Sequence, residues 1–190
     1  MQGTGGPLGD DPGWRRDVGG FVAGPQKAGA PGVAPLVQLR MMLVVFTIGL
    51  LGCGVVTLVV APADDGEGLA APVAAGVVLA VGVAGWLLTP LLSPRLDCST
   101  AATLVATYRT RFFLRMAIAE AAALAGFAVA LVAYQPWPYF LGLAFTLIGF
   151  VRAAPTTRNL ARDQDVLSVA GCAHPLAETL RMAPPPTAVS

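Results

Sequence analysis

Charge is what this chain most lacks. Only 12% of its 190 residues are Asp, Glu, Lys or Arg, about half of the roughly 25% found in soluble domains, so water is not its main solvent. Lysine is nearly missing, with Lys27 alone against eleven arginines. A formal net charge of +1 offers no electrostatic footprint for nucleic acid, which is not an expected partner. One histidine and three cysteines are present, without a C-x-x-C spacing. An odd, unpatterned cysteine set points to free thiols in a reducing compartment rather than a disulfide frame. Cys172-Ala173-His174 supplies two ligands where a zinc site needs four, so no metal and no cofactor is expected. Ser168 and His174 make no triad, and the chain has no phosphate-binding loop, dinucleotide glycine pattern or H-E-x-x-H. An enzyme is therefore not expected.

What is present is apolar: 55% of residues are hydrophobic and the mean hydropathy is +0.69. The few charges divide the chain into segments. Residues 41–63 carry none, which is enough to cross a hydrocarbon core of ~30 Å. A second uncharged run lies between Glu67 and Arg95, with Pro72 suited to a helix start and Pro90 near the end. A third, MAIAEAAALAGFAVALVAY, follows Arg115 and is interrupted only by Glu120; a fourth, WPYFLGLAFTLIGFV, follows the turn marked by Pro136 and Pro138. The fourth is short, and Arg152 can snorkel at its end. These patterns predict an all-α, polytopic membrane protein: four transmembrane helices in a bundle, with short cytoplasmic amphipathic helices. The spans cover about residues 40–61, 71–92, 113–134 and 137–152, inside a transmembrane domain of residues 36–153. A re-entrant hairpin formed by the last two is the structural alternative. Arg15-Arg16 and Ala61-Pro62-Ala63 are superficially signal-like. About two dozen residues separate the arginines from the apolar run, that run is longer than a signal core, and no hydrophobic residue follows Arg16 in the usual twin-arginine arrangement, so cleavage is not expected.

The charges also orient the spans. The loop APADDGEG holds Asp64, Asp65 and Glu67 without a basic residue, whereas Arg95, Arg109, Arg111 and Arg115 lie between spans two and three, and Arg152, Arg158, Arg162 and Arg181 follow span four. By the positive-inside rule the arginine-bearing segments and both termini are cytoplasmic, in a plasma (inner) membrane. Tyr134, Trp137 and Tyr139 are then expected at the outer interface, and Tyr108, Phe112 and Phe113 at the inner one.

Three further segments flank the spans. Residues 1–35, rich in Gly and Pro, read as a disordered cytoplasmic tail. From a Ser99 or Thr100 cap, Leu104, Val105, Tyr108 and Phe112 recur at helical spacing, an amphipathic start that lies at the inner surface and either feeds or bends into span three. Residues 154–190 read as a cytoplasmic helical tail: a helix from a threonine cap to Gly171, with Arg162 and Asp165 spaced to pair, a short helix opened by Pro175 with Leu176, Leu180 and Met182, and a disordered Pro-rich end.

Glu120 is the residue that asks for an explanation. It stands five positions beyond Arg115, ~7–8 Å deeper at 1.5 Å per residue. An acidic group near mid-membrane costs ~2.5–3.5 kcal/mol and less toward the interface, so it faces protein or water rather than lipid. Met116, Leu124, Phe127 and Leu131 share its face, while Ala119, Ala122, Ala123, Gly126 and Ala130 form a separate small stripe suited to close helix contact. The expected polar contacts of Glu120 are Arg40 or Arg152, near the cytoplasmic ends of spans one and four.

The stretch RMAIAEAAALAGFAVAL resembles the carboxylate-bearing helix of the proton-translocating c subunits of rotary ATP synthases, on Ala119, Glu120, Ala121 and Gly126. It departs from that pattern in its long cytoplasmic connection, in a preceding helix without sustained alternating glycines, and in the shallow position of Glu120. Over about residues 35–182 the chain more closely resembles uncharacterised four-helix integral membrane proteins of high-GC bacteria. YRTRFFLRMAIAEAAALAGF, WPYFLGLAFTLIGF and RAAPTTRNLARDQDVL carry that likeness, which implies a fold and no activity. The expected role is a non-enzymatic structural or accessory subunit that assembles, within the lipid bilayer, with a membrane-protein partner or with itself as a homo-oligomer. The alternative is a small transporter or channel component using Glu120 for proton or cation coupling.

Overall fold

In the computed structural model, which describes residues 34–60 and 69–182, six helices follow one another. They are α1 (Pro35–Val60), α2 (Ala71–Leu92), α3 (Ala101–Ala133), α4 (Trp137–Ala153), α5 (Thr157–Val169) and α6 (Leu176–Arg181). No strand occurs among the described residues. Helices α1, α2 and α3 are each long and apolar enough to cross a membrane, and a fourth crossing is present if α4 and α5, bent by 58° at their junction, count as one broken span. The expected N-terminal tail, the acidic loop with Asp64, Asp65 and Glu67, and the Pro-rich end lie outside the described residues.

Local sequence explains the helix boundaries. Pro35 opens α1 and Pro72 lies in the first turn of α2, positions where a missing N–H costs nothing. Thr100 caps α3: its hydroxyl accepts from the Thr103 N–H (3.1 Å), and Thr103 Oγ1 accepts from the Thr100 N–H (3.0 Å). This is a reciprocal capping box with threonine at the position glutamate often holds. The helix then runs unbroken for 33 residues, so the amphipathic start feeds straight into the apolar segment. At its far end Tyr134 takes a left-handed φ of 52° and the Gln135 N–H reaches back to the Ala130 carbonyl (3.2 Å), a Schellman closure built without glycine. Thr156 caps α5 by accepting the Asn159 N–H (3.3 Å), and Gly171 follows it at φ +79°.

The described residues divide into two compact units: one of residues 34–44, 95–109 and 154–182, the other of residues 45–60, 69–94 and 110–153. The first holds Arg40, Arg95, Arg109 and the charged residues of α5 and α6. Its buried side chains include Leu36, Leu39, Leu104, Tyr108, Leu160, Leu167, Leu176 and Leu180. Arg40 is only 1% exposed and donates from Nε and Nη2 to the Pro155 carbonyl (3.4 and 3.3 Å). Short α6 packs on α5 through Leu176 and Leu180, both fully buried, and Gln164 Oε1 accepts the Leu176 N–H (2.6 Å). Cys98 and Cys172 are joined by a disulfide whose Cα atoms stand 5.7 Å apart. This corrects the expectation of free thiols at those positions. Spacing along the chain could not reveal a pair separated by 74 residues. Met182, grouped with Leu176 and Leu180 in the sequence, is instead exposed.

The second unit is almost wholly apolar. Short α4 is its centre and touches each of the other three helical segments. Against α3 the approach is closest: a Cβ on Gly126 would meet the Pro138 carbonyl oxygen at 2.5 Å, and one on Gly149 the Ala119 methyl at 2.5 Å. The small stripe of α3 is therefore a helix contact, with Ala122, Ala123 and Ala130 buried. Against α2, Gly82 leaves room for the Phe145 ring, which lies tilted at 49° to Trp86 with ring centres 5.1 Å apart. Ala74 and Val78 of α2 pack with Val129 of α3, and Arg115 of α3 donates from Nε to Ser93 Oγ after α2 (3.4 Å). Against α1, the Tyr139 hydroxyl donates to the Leu50 carbonyl and its ring lies over Gly54. Tyr139 is thus a core residue and not part of an interfacial belt; Tyr108 and Phe112 are likewise buried in protein. For Tyr108 and Phe112 helical periodicity marks an apolar face correctly, and protein covers it.

Candidate functional site

The face of the second unit that bears Glu120 is not fully covered. Val45, Phe46, Gly49, Leu50 and Cys53 of α1 and Glu120 and Leu124 of α3 line an open groove of about 270 Å³. Two features build it. Gly49 has no side chain to fill the space and nothing near it that a Cβ would meet, and Tyr139 holds the Leu50–Gly54 turn of α1 from the α4 side. The groove walls stay exposed: Val45 by 52% and Leu124 by 54%. Along the Glu120 face of α3, Met116 is buried and Phe127 packs edge-on to Tyr139 at 6.1 Å, whereas Leu124 and Leu131 remain open.

Glu120 is half-buried. Among the described residues it has no hydrogen-bond or salt-bridge partner. The two arginines expected beside it are placed elsewhere. Arg40 grips the Pro155 carbonyl, and the Arg152 guanidinium lies 5.5 Å over the Trp86 ring, a cation–π arrangement. The other polar side chain on the groove wall is the Cys53 thiol, which is free.

One polar device could not be read from composition. Thr146 of α4 inserts its hydroxyl at the turn of α3 that carries Glu120, donating to the Ala119 carbonyl (2.8 Å) and accepting the Ala123 N–H (3.1 Å). It fixes the rotation of α3, and hence the side on which Glu120 emerges. A lone threonine in an apolar run is common, so the only sequence signal was its spacing of four and three from Gly142 and Gly149, which completes a small-residue stripe on α4.

Size limits what the groove accepts. Pockets for small molecules enclose ~300–1,000 Å³, so about 270 Å³ with one side open suits a side chain or two of a neighbouring helix better than an enclosed substrate. No family model matches the chain, and no curated protein or solved structure matches it.

Proposed function

We propose that the protein is a multi-pass subunit of the plasma membrane, a four-span bundle with both termini cytoplasmic, whose Glu120 groove seats a transmembrane helix of a partner protein. The arginine-rich segments and the acidic loop support that orientation through the positive-inside rule. The observation that carries the function is the carboxyl of Glu120 in an apolar groove with no hydrogen-bond or salt-bridge partner among the described residues. Intramembrane carboxyls face protein or water, and a helix bearing a basic or hydroxyl side chain at that depth supplies the missing donor. Association of two copies through this face would turn Glu120 toward Glu120, so charge favours a different partner. The transporter reading has less support, because the other lining groups, Cys53 excepted, are apolar or glycine.

Cys53 provides the test, since it is a native thiol on the groove wall. A maleimide–benzophenone photocrosslinker placed on Cys53 in native membranes should join it to an apolar span with Lys, Arg, His, Ser or Thr at the linked level. Replacing Glu120 by Leu should abolish the adduct. An adduct indifferent to Glu120, or a Cys53–Cys53 dimer, contradicts the proposal.

A further inference from the structure

Helix α5 is held at both ends by contacts outside itself. At its start, Arg40 binds the carbonyl of Pro155. Beyond its end, Cys172 is bonded to Cys98 in the connection between α2 and α3. In the distal turn of α5 Leu167 is buried, while Val166 is 60% exposed and Val169 91%. The covalent link and the burial of Leu167 together fasten this end.

We infer that the Cys98–Cys172 bond is a reversible thiol–disulfide latch that fastens the far end of α5, with α6 on it, to the loop that caps α3. The inference rests on the cytoplasmic placement proposed above, because thiols on that side are kept reduced and disulfides there are transient. Three features suit reversibility. Both cysteines are partly exposed, within reach of small thiols. Their Cα separation of 5.7 Å is ordinary for a bridge, so the pair closes from where the backbone already lies. The open form is also provided for: the His174 carbonyl oxygen stands 3.8 Å from Cys172 Sγ, ready to accept from the thiol.

Closure needs a low-molecular-weight disulfide as oxidant. One protein thiolate attacks it and releases the first small thiolate; the second protein thiolate attacks the mixed disulfide and releases the other. Two protein thiols lose two electrons and two protons, and one small disulfide becomes two thiols. On opening, α6 stays on α5 through Leu176, Leu180 and Gln164, while the far end of α5 keeps the burial of Leu167 alone and is freer to move. The α3 cap, where Asp97 Oδ1 accepts the Ser99 N–H (2.8 Å), loses its tether.

The test uses the full-length protein in native membranes, acid-quenched and labelled with maleimide. Cys98 and Cys172 should be thiols during reducing growth and form the bridge when oxidised glutathione is added to inverted vesicles. Amide exchange at Ser99, Thr100 and residues 172–174 should rise severalfold on opening, while that at Leu176, still bonded to Gln164, should not. Cys172→Ser should show the open pattern whatever the oxidant; should it misfold, wild-type protein with and without dithiothreitol makes the same comparison. A pair that is always bridged, never bridged, or bridged without effect on exchange overturns the latch. An impermeant maleimide separates the two failures: labelling of the reduced pair from the outer face of intact cells refutes the orientation itself.

Discussion

Gly142 of α4 lies so close to Ala122 of α3 that a Cβ on the glycine would stand 2.9 Å from the Ala122 carbonyl carbon and 3.1 Å from the Ala123 Cα. Backbone, unlike a side-chain tip, cannot step aside. Lipid tails are as apolar as leucine, so helices in a bilayer gain stability through such close packing and not by escaping the solvent.

Gly142→Ala and Gly126→Ala should therefore each destabilise the protein by about 1–3 kcal/mol, the usual cost of overpacking. Gly52 and Gly76 have nothing near an added Cβ. Gly52→Ala and Gly76→Ala should be neutral or stabilising by up to ~1 kcal/mol through helix propensity. Reversible unfolding in bicelles compares the four, and equal losses at all of them would refute this packing.

Thr146→Val keeps the shape of the side chain and deletes the hydroxyl that bonds Ala119 and Ala123. A polar contact between membrane helices contributes ~0.6 kcal/mol on average and up to ~1.7, so the variant should lose an amount in that range, while Thr146→Ser should lose less. If Thr146 sets the rotation of α3, Thr146→Val should also weaken crosslinking from Cys53 across the groove.

The apolar segments and the small stripe of α3 were legible because their periodicity reflects local geometry. Pro72, Thr156 and Gly171 mark helix ends for the same reason: their effect lies within a turn of the chain. What covers a face is not local. Tyr139 near a helix start looks like an interfacial anchor, and only the placement of α1 makes it a buried donor to Leu50. Glu120 was conspicuous as a lone acid, yet its surroundings depend on Gly49 and Cys53 in a helix some seventy residues earlier. The bond between Cys98 and Cys172 was hidden because pairing is decided by the fold and not by spacing.

Arg40→Met should destabilise the protein by about 1–3 kcal/mol. Pro155 is fully buried, so its carbonyl would lose both guanidinium donors without water to replace them, the cost of an orphaned acceptor. Lysine offers a point charge in place of a planar fork, and Arg40→Lys should recover only part of the loss. Denaturant titration of the three proteins checks this; a methionine variant as stable as the parent would show that the contact is incidental.

Tyr139→Phe removes one hydroxyl and leaves the ring that packs on Gly54, Phe127 and Phe140. The net loss should be ~0.5–1.5 kcal/mol, the range for one hydrogen bond. Tyr139→Ala also empties a buried aromatic site and should cost ~3–5 kcal/mol. Comparison of the two by thermal unfolding separates hydroxyl from ring, and equal losses would mean that the ring contributes little to packing.

Reducing the disulfide should cost less than its loop length implies. For a free chain, closing a loop of the 74-residue separation between Cys98 and Cys172 is worth roughly 4 kcal/mol. That figure assumes an unfolded loop free to explore space. Here the loop contains α3 and α4, and on the spanning reading both remain inserted when their mutual packing is lost, so the bilayer already restricts the ends the bond would join. Unfolding of the oxidised and reduced protein in bicelles should therefore differ by clearly less than about 4 kcal/mol, whereas in a denaturant that extracts the helices the gap should widen toward it. A full difference in bicelles would mean that α3 and α4 leave the bilayer on unfolding, against the four-span arrangement.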